Sequence, residues 1–217
     1  MARHPGYTTS WVTVPILTRS LQAKNALSGD YQRIGDGANP LVECSGLRSE
    51  LSMTELKTRF ATDADAEAIS TLVNAAFKVE RFFIDGDRIS PGKVREMLRT
   101  GKYLLAEENG KLIACVYVEL RGKRAYFGLL GVDPSRQGEG LGRKMVEQAE
   151  DYARAACSKF MDLLIVNLRT ELPPFYRRLG YVETGTEPFA ADAEPSQPCH
   201  FIKMSKPLGS ARAADRP

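Results

Sequence analysis

The chain has 217 residues, 43% hydrophobic and 26% charged, which is enough for one domain with a sizeable core and an extension. Thirty Lys and Arg against 27 Asp and Glu leave a net charge of +3, too balanced for a general nucleic-acid binder, and no apolar run approaches the roughly 18 residues that cross a bilayer. Cys44, Cys115, Cys157 and Cys199 form no C-x-x-C pair, so neither a metal knuckle nor a disulfide framework is indicated, and reduced thiols in the cytoplasm are the expectation.

Residues 1–52 scatter Gly, Ser, Asn and Pro, and no apolar period persists beyond "WVTVPIL", so they read as a poorly structured extension or a mis-assigned start. The first 29 residues hold Arg3, Arg19 and Lys24 with no acidic side chain, which is also the composition of a mitochondrial transit segment. Regular structure is expected from Met53 to about residue 207, with 208–217 as a flexible tail.

"LKTRFA" (56–61) reads as a strand. Asp63 and Asp65 then stand as N-caps for a helix over "AEAISTLVNAAF", where Ile69, Leu72, Val73 and Phe77 share one face. "PGKVREMLRTG" reads as a second helix, opened by Pro91 and closed by Gly101. "KYLLAEE" turns at Asn109-Gly110 into "KLIACVYVEL", which turns at Arg121-Gly122 into "RAYFGLLGV". A helix from Leu141, the strand "FMDLLIV", a short helix at "PPFYRRLG" and the strands "YVETGT" and "HFIKMS" complete the order β-α-α-β-β-β-α-β-α-β-β. The expected class is a single α/β domain around a mixed, mostly antiparallel twisted sheet with a parallel pair in its middle, flanked by helices.

Gly138, Gly140 and Gly142 lie between a strand ending at Val132 and the helix from Leu141. Helix-start N–H groups lack internal partners and carry partial positive charge, and glycines let an anion approach them, so the turn is suited to phosphate. The bland alternative is a tight packing turn. A P-loop is excluded because Arg143 and Lys144 follow Gly142 where Lys-Ser/Thr is needed, and a dinucleotide G-x-G-x-x-G would require glycine at position 143.

Gln137-Gly138-Glu139-Gly140-Leu141-Gly142 resembles the Q/R-x-x-G-x-G/A pyrophosphate motif of the GNAT superfamily of acyl-CoA-dependent N-acyltransferases. "PFYRRLGYVETG" (174–185) is similar to that family's F-Y-x-x-x-G-F/Y segment, and "TRFATDADAEAISTLVNAAF" resembles its first strand and helix; the stretch around 169–189 is like that of microbial-type members. The resemblance implies a GNAT-like domain whose central parallel strands splay apart. Leu130, Gly131 and Val132 would then pair with the pantetheine arm of acetyl-CoA, and residues 137–142 would hold its pyrophosphate. It further implies direct attack by an amine in a ternary complex, an oxyanion-stabilising N–H near Val132, and Tyr176 as the acid that protonates the departing thiolate, with no metal.

The sequence departs from the family at the general base, since "RAYFGLLGV" offers neither Glu nor His after Arg124. On the preceding strand, alternation places Val116, Val118 and Leu120 on one face and Tyr117 and Glu119 on the other, which makes Glu119 the candidate base. The loop "VERFFIDGDRIS" is the other source, so Glu80, Phe83 and Asp85, with Tyr117, are candidate acceptor-site residues. Relatives place an Asn seven positions before the tyrosine to contact the cofactor, but Arg169 stands there, with Asn167 two residues earlier. Glu80, Asp85 and Asp87 in one loop and Glu187, Asp192 and Glu194 in the other favour a cationic amine. The leading expectation is an N-acetyltransferase acting on a primary amine of a small molecule, as a monomer or homodimer with no nucleic-acid or membrane partner. A peptide or protein N-acetyltransferase and a non-catalytic acyl-CoA-binding module are the alternatives.

Overall fold

The computed structural model describes residues 56–189 and 194–209. The expectations for residues 1–52, for Met53 as the start, for Asp192 and for the tail beyond 209 lie outside the described residues. Within them the elements are β1 (Lys57–Phe60), α1 (Ala66–Phe77), α2 (Pro91–Leu98), β2 (Lys102–Glu108), β3 (Lys111–Arg121), β4 (Arg124–Val132), α3 (Leu141–Ala155), β5 (Phe160–Val166), α4 (Leu172–Arg178), β6 (Val182–Pro188) and β7 (His200–Pro207). This is the order read from the sequence. The seven strands form one sheet ordered β1-β2-β3-β4-β5-β7-β6, antiparallel throughout except for the parallel pair β4–β5. No described helix is long and apolar enough to cross a membrane.

Two apolar layers cover the sheet. On one face Ile69, Val73 and Phe77 of α1 and Val94 of α2 pack against Tyr103, Leu105, Cys115 and Tyr117. On the other, Met145, Val146 and Ala149 of α3 and Leu172 and Tyr176 of α4 pack against Val116, Val118, Phe127 and Leu130. The alternation along β3 thus sorts Val116 and Val118 from Tyr117 as its period of two requires. Leu208 is buried in the second layer, and its N–H bonds Lys159 O at 2.8 Å, so the packed chain runs one residue past the strand end.

Three local readings need correction. Asp65 stands at the N-cap position of α1, but its side chain does not cap that helix: Thr62 opens the 3-10 turn before it, and the Asp65 carboxylate accepts from the Thr62 N–H at 2.7 Å and from Arg59 at 2.6 Å, turning back to β1. The β3–β4 turn is Gly122-Lys123, with Gly122 at φ +69, because β3 keeps Arg121. Gly101 does not end α2 by adopting a left-handed conformation. It is glycine because a Cβ there would sit 2.5 Å from both Tyr117 Oη and Val118 O. Since Val118 O is backbone, Gly101→Ala must displace β3, at a cost of about 1–3 kcal/mol. Thermal unfolding followed by circular dichroism is expected to show a melting temperature lowered by several degrees. An unchanged value would mean that the approach is not tight.

Candidate active site

The site begins with an irregularity in β4. Cys115 pairs with Gly131 but Tyr117 pairs with Gly128, so β4 spends three residues where β3 spends two. The extra residue is accommodated at Leu129, fully buried and at φ +44. A non-glycine residue in the left-handed region costs about 1–2 kcal/mol, and the burial of its side chain against the α1 layer offsets that. The bulge resets the phase of the strand: Leu130 and Val132 face the α3 layer, while Gly131 faces α1, its Cβ position 3.6 Å from Val73.

Beyond this point β4 and β5 part. Their ladder consists of Arg124↔Phe160, Ala125↔Met161 and Tyr126↔Asp162 and then stops, whereas β5 continues with β7 through Val166. The closed end is clamped: Arg124 Nε donates to Asp162 at 2.6 Å, its guanidinium lies 4.6 Å from the Phe160 ring centroid, and the Lys159 N–H bonds Lys123 O at 2.7 Å. Leu130, Gly131 and Val132 therefore lie beyond the end of the β4–β5 ladder, and no ladder bond to β5 engages their edge.

The glycine turn stands at that end. Gly138 and Gly140 have φ +91 and +80, and a Cβ on either would meet nothing within 4 Å, so glycine is needed here for backbone conformation and the space above the turn is open. Lys144 N–H is the first to close onto the helix, at Gly140 O, which leaves the preceding N–H groups of α3 directed outward. Ion pairs hold the turn in place: Arg136 bonds Glu108 of β2 and Glu139, and Asp133 accepts from Lys111 at 2.8 Å and from the Ser135 hydroxyl at 2.7 Å. The Lys111 and Ser135 bonds hold the Asp133 carboxyl down from 3.8 to about 2. A carboxyl depressed in the folded state contributes stability that is present above its ordinary value and lost as pH falls through the folded one. The melting temperature is therefore expected to fall between about pH 4 and about pH 2, and Asp133→Asn to flatten part of that fall; an unchanged slope would show that Asp133 does not carry it.

Tyr176 is 0% exposed, and its hydroxyl, buried, has no hydrogen-bond partner. Its ring packs against Phe127 at 5.9 Å, Tyr181 at 5.8 Å and Phe175 at 5.1 Å between centroids. Tyr181 is itself locked by donating to buried Glu150 at 2.9 Å, a carboxylate that Lys206 and Arg154 also contact. Burial pushes the Tyr176 phenol well above its ordinary value, although the nearby Arg169 guanidinium acts the other way.

On the opposite face the acceptor-side candidates separate. Glu80 and Phe83 are buried, and Phe83 packs with Val166 and Phe201, whereas Asp85 is exposed. Tyr117 belongs to a different cluster, its hydroxyl 2.9 Å from Thr100 Oγ1 and its ring 5.2 Å from Tyr103. Glu119 is engaged by Arg121 through two bonds of 2.8 and 2.9 Å, and that guanidinium lies 4.4 Å from the Tyr126 ring centroid. Glu187 is paired with Lys203. Arg169 is the residue whose importance the spacing left open: 1% exposed, it reaches from the β5–α4 loop to Glu80 at 3.1 Å and Glu171 at 2.6 Å. Burial raises the Glu80 carboxyl from its ordinary value against the opposing effects of Arg88 and Arg169.

A sheet opened at its central parallel pair, with a glycine turn and helix start at the open end, defines the acetyltransferase type of α/β fold, and solved structures share it. A ribosomal-protein-S18-alanine N-acetyltransferase from Escherichia coli is 17% identical, with a TM-score of 0.59 over 75% of this chain and 99% of its own. A putative phosphinothricin N-acetyltransferase is 18% identical, with a TM-score of 0.60 over 72% and 100%. A putative acetyltransferase from Salmonella typhimurium, solved with its cofactor acetyl-CoA, is 22% identical, with a TM-score of 0.59 over 76% and 100%. No curated protein matches the sequence. Residues 99–183 match the family model described as an acetyltransferase (GNAT) domain, and the fold is the one these acetyltransferase structures share.

The residues present fit acetyl-CoA: the cleft edge of β4, the open glycine turn and an orphaned buried hydroxyl at Tyr176 are the features such a thioester requires.

Proposed function

We propose that the protein transfers an acetyl group from acetyl-CoA to a primary amine of a small-molecule acceptor, by direct attack in a ternary complex. The observation that carries the choice of a small acceptor is a bridge across the acceptor side. Ser196 N–H donates to Phe83 O at 2.8 Å and Gln197 Nε2 to Phe82 O at 3.2 Å, so the loop after α1 and the segment before β7 are tied together. A peptide acceptor calls for a groove left open between these two segments, and the bridge supports a closed pocket instead.

Acetyl-CoA supplies the activated thioester. Leu130, Gly131 and Val132 offer it backbone groups along the cleft, residues 137–142 offer N–H groups to its pyrophosphate, and an N–H near Val132 faces the charge that develops on the carbonyl oxygen. Tyr176 donates its proton to the leaving sulfur. Glu119 has both carboxylate oxygens engaged by Arg121, which makes it the weaker candidate base. Glu80, with one carboxylate oxygen free of hydrogen bonds and a raised affinity for a proton, is the better group to relieve the attacking amine of its proton.

Free-thiol release from acetyl-CoA, measured across small primary amines, polyamines, amino acids and peptides, tests the reading. At least one small amine is expected to be turned over well above every peptide. Turnover confined to peptides would overturn it, and thiol release with none would favour a binding module.

A further inference from the structure

Glu80 Oε2 and Arg169 Nη2, on the two sides of one ion pair, and Tyr176 Oη are buried polar atoms without a hydrogen-bond partner. They come from three separate segments, the turn after α1, the β5–α4 loop and α4. The ion pair itself is Arg169 Nη1 to Glu80 Oε1 at 3.1 Å, with both side chains at most 2% exposed. Arg88 lies on the far oxygen of Glu80 at 4.0 Å, and Glu171 accepts from Arg169 Nε at 2.6 Å. Leaving a buried donor or acceptor unsatisfied costs about 1–3 kcal/mol, more for charged groups. Orphans on both sides of a single buried pair lack the partners that a bound molecule would supply.

The chemistry of that molecule follows from the atoms. Glu80 Oε2 only accepts and asks for an N–H, whereas Arg169 Nη2 only donates and asks for an oxygen. Because the two side chains already touch, the N–H and the oxygen must sit a few bonds apart on one ligand. An amine and a carboxyl group on a common carbon meet that condition. A carboxylate satisfies a guanidinium through charge-assisted bonds roughly twice as strong as those of a neutral carbonyl.

We propose that the Glu80–Arg169 pair is the acceptor site for an α-amino acid, with the amine N–H on Glu80 and the carboxylate on Arg169. This deepens the small-molecule acetyl-transfer reading and rests on it. Arg169 then determines specificity, while Glu80 both orients the amine and takes its proton. Phe83, packed with Val166 and Phe201 beside Glu80, supplies an apolar wall for the amino-acid side chain.

The test compares, with acetyl-CoA, the twenty α-amino acids, their α-carboxamides and the matching decarboxylated amines. At least one amino acid is expected to release thiol, with kcat/KM about 10- to 100-fold above its carboxamide and its decarboxylated amine. Arg169→Lys should raise KM for that amino acid about tenfold or more while the acetyl-CoA-induced rise in melting temperature persists. If Arg169→Lys does not fold, the wild-type comparison decides alone. A carboxamide or decarboxylated amine used as well as its amino acid would overturn the inference and leave the small-molecule reading standing. No turnover of any amino acid would likewise overturn the inference, and the small-molecule reading would fall with it only if the wider panel of amines and polyamines were also inert or peptides alone were turned over.

Discussion

Tyr176→Phe is expected to lower kcat by about 10- to 1,000-fold while leaving acetyl-CoA affinity and the melting temperature nearly unchanged, the scale for loss of one acid catalyst. The structure makes this substitution unusually clean. Phe keeps the ring that packs with Phe127, Phe175 and Tyr181, and the hydroxyl it removes is bonded to nothing, so no partner is orphaned. A small gain in stability is the direction expected from deleting a buried unsatisfied group. Burial raises the phenol above its ordinary 10.0, so the acid stays protonated through neutral and mildly alkaline pH, and any descending limb it causes lies above that range. A thiolate leaves partly unassisted, which sets the lower end of the estimate. The check is steady-state kinetics on the acceptor found by the amine panel. A Phe variant equal to wild type in kcat and in both limbs of the pH profile would reduce Tyr176 to a packing residue.

Gly140→Val is expected to abolish the rise in melting temperature that acetyl-CoA produces. Gly140 caps α3 at φ +80 and ψ 3, a conformation that costs a residue with a Cβ about 1–2 kcal/mol and a β-branched one more. Because a Cβ there meets nothing within 4 Å, the fold itself suffers no clash, and the damage falls on the direction of the N–H groups and on the space above them. Gly110→Val is the control. Gly110 has φ +74 in the β2–β3 turn with equally open surroundings, so it carries similar strain away from the site and should lose some melting temperature but retain the acetyl-CoA response. A retained response in Gly140→Val would show that residues 137–142 do not hold the pyrophosphate. 3′-Dephospho-CoA should keep most of the wild-type shift, since backbone groups at the turn meet the pyrophosphate and not the 3′-phosphate.

Legibility in the sequence followed the range of the interactions involved. Element order, the α1 face of Ile69, Leu72, Val73 and Phe77, the Asn109-Gly110 hairpin and the start of α3 at Leu141 all depend on neighbours within a few positions, where periodicity and turn chemistry act directly. The glycine turn was legible for the same reason: Gly138 and Gly140 need positive φ, and their spacing before a helix says so.

What only the tertiary structure decided was whatever depends on contacts between segments far apart in the chain. Gly101 reads locally as a helix stop, yet it is glycine because β3 approaches it from sixteen and seventeen residues away, at Tyr117 and Val118. Leu129 carries no local sign of a bulge, since a leucine adopts positive φ only when packing against α1 holds it there, and that bulge sets the phase of the cleft edge. The end of the β4–β5 ladder at Tyr126, the bond from Ser196 to Phe83 and the reach of Arg169 to Glu80 across 89 positions are likewise set by packing. The sequence by itself thus determined the frame and the cofactor-type turn, because local backbone preferences act there alone. The buried Glu80–Arg169 pair, assembled from segments that share no local pattern, was decided by the fold.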